Sequence, residues 1–157
     1  MLVALVFIFT GCSGDGTGEV ADLKLIDEVE ISIFAKANLE ETWIMHVSKD
    51  GVFTSMHGQR VDNEITLNRY LNAATMQRET TKLTQKQIER LNDALLTLRQ
   101  QEEIELRTES TDPKLQVRVC LNQHQYNFYY TTADAQTSVY IDFVNTFMAD
   151  SPMEITL

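Results

Sequence analysis

The sequence predicts an α+β domain in which two helices pack on one face of a mainly antiparallel sheet of about four to six strands. Three observations carry this reading. Residues 43–57 and 115–130 each alternate apolar and polar side chains on both sides of a short turn, as β-hairpins do. Residues 85–99 and 136–149 instead repeat apolar side chains at helical spacing. The order strand, hairpin, helix, hairpin, helix is that of helices gathered on one side of a sheet. No internal repeat or second linker interrupts it, so residues 23–157 read as one domain.

The first strand is expected at 28–35, where Glu28-Val29-Glu30-Ile31-Ser32-Ile33 alternates. Next, Trp43, Met45 and Val47 alternate with Ile44, His46 and Ser48, Lys49-Asp50-Gly51 supplies a turn, and Val52 to His57 returns. Gly51 decides the register. A two-residue Asp50-Gly51 loop would make His46 and His57 diagonal neighbours on one face. A type I turn with Gly51 as a G1 bulge shifts the pairing by one and separates them. The bulged form also sets Phe53 beside Trp43 and Val47, and it is the expected one. Residues 58–72 are polar and read as loop, and Ala73 to Lys82 adds a further strand.

Thr84 and Gln87 form a capping box at the head of the helix over 85–99, with Leu83 and Ile88 spaced as a hydrophobic staple. Ile88, Leu91, Leu95 and Leu98 then make one apolar stripe, which reads as core. In the second hairpin, a two-residue Asn122-Gln123 turn pairs Val119 with Tyr126, Val117 with Phe128 and Leu115 with Tyr130, so every inward residue meets an inward partner. The last helix carries Tyr140, Phe143, Val144 and Phe147 on one face, and Pro152 closes it.

Composition excludes more than it assigns. The chain has 157 residues, 43% hydrophobic and 23% charged, with a formal charge of −10, so neither nucleic acid nor a polyanionic surface is an expected partner, because phosphate binding needs a basic stripe. His46 and His57 fall on opposite faces and spacing fixes no third ligand, so no metal is expected. Cys120 and His124 suggest a thiol–imidazole dyad, but the favoured register turns Cys120 outward and His124 toward the core, and a nucleophile needs its base within hydrogen-bond reach. Glu102, Glu103, Glu105 and Glu109 crowd into eight residues after a helix and read as a solvated face, not as a glycosidase pair across a cleft. With no Gly-x-Ser-x-Gly elbow, His-Glu-x-x-His or phosphate loop, the sequence predicts a non-catalytic chain without a cofactor. A thiol- or carboxylate-dependent hydrolase is the least favoured alternative. The expected interaction surface is Arg118, Asn127 and Tyr129, grouped on the outward face of the second hairpin, since Tyr and Arg favour interfaces.

Localisation is read from the amino terminus. Residues 2–9 are an unbroken apolar run ending at Thr10-Gly11-Cys12. As a helix the run would span about 12 Å, against a bilayer core of roughly 30 Å, yet it suffices for the apolar region of a signal peptide. Such regions follow a basic segment, and none precedes residue 2, so the true start is expected upstream. Phe9-Thr10-Gly11-Cys12 resembles the lipobox of bacterial lipoproteins. The resemblance implies a signal peptide over 1–11, acylation of Cys12 and anchoring to a membrane. Residues 12–22 then form a Gly-rich flexible tether. Ser13 after the lipidated Cys implies, by the same resemblance, the outer membrane of a Gram-negative cell, with the domain facing the periplasm. Lipid on Cys12 would leave Cys120 without a disulfide partner in the chain. The expected role is binding of an envelope protein or cell-wall partner.

The pattern from Trp43 to Phe53, the Leu83-Thr84-Gln85 helix start, and the final hairpin and helix resemble small bacterial envelope domains of unknown function. The same order, over most of residues 28–149, is similar to that of the emfourins, inhibitors of thermolysin-type metalloproteases. That resemblance implies protease inhibition as an alternative and assigns no residue.

Overall fold

The computed structural model describes residues 23–35, 41–61, 71–103, 115–122, 124–130 and 138–157. They form β1 (Val29–Ala35), β2 (Thr42–Val47), β3 (Val52–Gly58), β4 (Gln77–Lys82), α1 (Gln85–Arg99), β5 (Leu115–Leu121), β6 (His124–Tyr130) and α2 (Ser138–Met148). The strands make one antiparallel sheet in the order β4-β3-β2-β1-β5-β6. This is the α+β fold the sequence predicts. The first strand lies inside the sheet, between β2 and β5, which explains its apolar character: Val29, Ile31 and Ile33 are all fully buried.

Both hairpin registers follow the turn chemistry. The Gly51 N–H donates to the Ser48 carbonyl at 2.8 Å and the Ser48 N–H to Val52 O at 3.0 Å, with Gly51 at φ +75°. That is a turn followed by a G1 bulge, and it pairs Val47 with Phe53. In the second hairpin Leu121 pairs with His124, Val119 with Tyr126 and Val117 with Phe128, and Asn122 takes φ +26°, as such tight turns require.

Residues of one parity from every strand except β4 meet both helices in a single core. Ile31, Met45, Phe53, Val119 and Phe128 pack with Ile88, Leu91, Leu95 and Leu98 of α1 and with Tyr140, Phe143, Val144 and Phe147 of α2. Aromatic contacts seat α2 across the sheet, Phe147 against Phe53 at 6.4 Å and Tyr140 against Phe128 at 5.6 Å. The α1 capping box is complete: Thr84 Oγ1 accepts from the Gln87 N–H and Gln87 Oε1 from the Thr84 N–H. Buried Asp150, past the end of α2, accepts from Gln87 and Arg90 and so locks the helices together.

Some element ends depart from the sequence reading: β1 begins at Val29 and β3 runs through Gly58. β4 begins at Gln77, not Ala73, because the Asn72 side chain accepts from the Ala74 N–H and its carbonyl from the Thr75 and Met76 N–H groups, winding 72–76 into a turn. α2 runs from Ser138 to Met148, and residues 136–137 lie outside the described residues.

Candidate functional site

Period-two alternation places Arg118, Asn127 and Tyr129 together on the sheet face away from the helices. Arg118 pairs across the ladder with Asn127, and Tyr129 pairs with Gln116. Their exposure differs from expectation. Asn127 and Tyr129 are half-buried, but Arg118 is only 5% exposed. Its guanidinium donates to Gln125 Oε1 at 2.7 Å, so it braces the neighbouring strand and is not offered to solvent as an anchor. The same face is buried along its middle. Phe34 is 1% exposed and lies under the guanidinium of Arg60, itself 3% exposed, at 4.9 Å. Thr42 and Gln116 flank Phe34 in the ladders and are buried too. A period-two pattern gives the face of a side chain but not what covers that face.

The two sheet edges differ chemically. Every residue of β4 is exposed, and Arg78, Glu79 and Lys82 put charge along it, which discourages another strand from pairing there. β6 carries no Asp, Glu, Lys or Arg. The Gln125 N–H points away from β5 to Glu103 Oε1 at 3.4 Å. By alternation, the backbone groups of Asn127 and Tyr129 point the same way.

At the end of the sheet where β1 begins, Asp27, Arg99, Asn122 and His124 line an open cavity of about 490 Å³. Asp27 is 2% exposed, and both its oxygens are engaged, one by Arg99 and one by the Asn122 amide. His124 Nδ1 meets Glu103 Oε1 at 3.0 Å. Asp27 thus joins the segment before β1, the end of α1 and the β5–β6 turn. The sequence held no local sign of this cluster, because its members come from three separate segments.

The catalytic alternatives meet specific geometry. Cys120 lies opposite Glu30 and Gln125 on the helix-free face, half-buried, while His124 lies on the helix face and is exposed. The sheet separates thiol from imidazole. His46 and His57 are likewise on opposite faces: His46 Nε2 meets Glu28 Oε1 at 2.6 Å, and His57 stacks on Trp43 at 4.6 Å. Among the described residues no group of three His, Cys, Asp or Glu side chains is arranged to hold a metal. Glu102 and Glu103 follow α1 and are exposed, whereas Glu105, Glu109 and residues 1–22, where the sequence reading expects a leader, the acylated Cys12 and a tether, lie outside the described residues. No helix among the described residues is long and apolar enough to cross a membrane. No protein-family model matches the chain, and no curated protein shows significant sequence similarity to it.

Proposed function

We propose that this chain is a lipid-anchored protein of the bacterial envelope whose α+β domain is a non-catalytic binding module. One observation carries the reading: eight apolar residues stop at Thr10-Gly11-Cys12, and a Gly-rich segment separates that thiol from the domain. Acylation of Cys12 would hold the domain at a membrane that none of its described helices is built to cross. Ser13 favours the outer membrane of a Gram-negative cell, with the domain in the periplasm.

The surface favoured for a partner is the outer side of β6, around Asn127 and Tyr129. It lacks the charges that guard β4, and its outward backbone groups suit an extended segment of a partner protein. Arg118 positions that strand from beneath through Gln125. Incorporation of labelled palmitate should be abolished by Cys12→Ser. A photo-crosslinker at position 129 should capture an envelope component in cells, and one at Gln85 should not capture the same product. Labelling that persists in Cys12→Ser would refute the anchor, and identical products from both positions would refute the surface. The strand and helix order favours a second reading, inhibition of a thermolysin-type metalloprotease, and the purified protein slowing such a protease would support it.

A further inference from the structure

We infer that the segment received by β6 is β6 of a second copy of this chain, the two copies pairing antiparallel about a two-fold axis at Phe128. The inference rests on the reading of β6 as the partner surface and adds the identity of the partner. It follows from which backbone groups the edge leaves open. The backbone bonds of Tyr126 and Phe128 run to Val119 and Val117 of β5, so those of Gln125, Asn127 and Tyr129 point out of the sheet. Glu103 Oε1 accepts from the Gln125 N–H at 3.4 Å and meets His124 Nδ1 at 3.0 Å. Among the described residues none bonds to the outward backbone groups of Asn127 or Tyr129.

Glu103 fixes the register. With the axis at Phe128, Asn127 of each copy faces Tyr129 of the other, and each such pair exchanges two backbone hydrogen bonds. All the outward groups of these two residues are then paired, and the Gln125 N–H keeps its carboxylate. An axis at Asn127 would instead set Gln125 against Tyr129 and displace Glu103. Charge favours the same edge. Two copies of a chain of net charge −10 repel each other, and β6 has no Asp, Glu, Lys or Arg to add to that repulsion. Glu103 and its symmetry mate, each bonded three residues from the axis, stand roughly 20 Å apart along the strands, beyond a Debye length of about 8 Å. Symmetry closes the assembly. A β6-to-β4 contact would run head to tail and propagate, but Arg78, Glu79 and Lys82 lie along β4 and discourage pairing there. A β6-to-β6 contact ends at two copies.

A contact between two short strands is weak and reversible, so it is read by trapping it in cells that make the full chain. The Cα atoms of a hydrogen-bonded antiparallel pair lie about 5.5 Å apart, within reach of a disulfide. In a Cys120→Ser background, differently tagged Asn127→Cys and Tyr129→Cys chains should link under added oxidant roughly tenfold faster than either links to itself, with the background alone as the blank. After brief formaldehyde fixation, differently tagged copies of the parent chain should be captured together. Asn127→Lys should lower that capture about fivefold. Asn127→Lys/Tyr129→Glu should restore it, because each introduced cation then faces an introduced anion of the other copy. Asn127→Cys linking to itself as fast as to Tyr129→Cys would overturn the pairing, and so would a double variant that recovers no capture. No linkage between the copies, with a photo-crosslinker at position 129 capturing a different protein, would overturn the second copy and leave β6 as the partner surface. No capture of any protein from position 129 would overturn both.

Discussion

Replacing Gly51 with alanine tests the feature on which the first hairpin register depends. Gly51 sits at φ +75°, where an L-residue costs about 1–2 kcal/mol because its Cβ crowds the backbone. An added Cβ would also lie 2.9 Å from Ile88 Cδ1, with Leu83 Cβ at 3.8 Å. Ile88 is buried in the core, so its methyl end must move by a few tenths of an ångström against packed neighbours, adding roughly 0.5–1 kcal/mol. The sum is a loss of about 2 kcal/mol. Urea unfolding followed by Trp43 fluorescence measures it directly, since Trp43 is buried against His57. Gly51→Asn separates the two causes, because Asn tolerates left-handed backbone far better than Ala. It removes most of the conformational strain and keeps the contact with Ile88. Gly51→Ala within 0.5 kcal/mol of the parent, or Gly51→Asn worse than Gly51→Ala, would refute the reasoning. The register matters for function as well as stability. A two-residue loop would bring His46 and His57 to one face, whereas the bulge sends one to Glu28 and the other to Trp43.

Arg99→Ala should cost about 2–3 kcal/mol and Asp27→Asn only about 1 kcal/mol, because losing the half-exposed cation strands a buried carboxylate, while the neutral amide does not need the cation; equal losses in urea unfolding would contradict this asymmetry. Burial raises the Tyr126 hydroxyl above its ordinary pKa, helped by nearby Glu103, and Tyr140 is raised likewise by burial and then Glu102. A phenol that ionises less readily when folded contributes fully below the ordinary tyrosine value of about 10 and loses that contribution as pH rises through the raised folded value. Absorbance titration of the five tyrosines should therefore show a late fraction in the native protein, and a single transition near pH 10 would argue against it. Cys120 should react slowly with a thiol probe, and His124→Ala should leave the rate unchanged, since the sheet separates the two side chains; a several-fold change would revive the dyad.

Legibility followed the range over which each feature is determined. The α1 cap, the Asn122 turn and the Gly51 bulge are set by residues within a few positions of one another, and each could be read from its own segment. Strand faces could be read as well, because period two fixes them once a turn is placed. The missed β4 boundary was local too: Asn72 carried the turn signal, but the polar stretch beginning at Ala73 resembled a strand. Arg118 failed for a different reason. Its face was assigned correctly, but its burial depends on what lies over that face, and no spacing within β5 contains that information. The Asp27 cluster is non-local in the same way, since Arg99 and Asn122 reach it from segments far away in sequence.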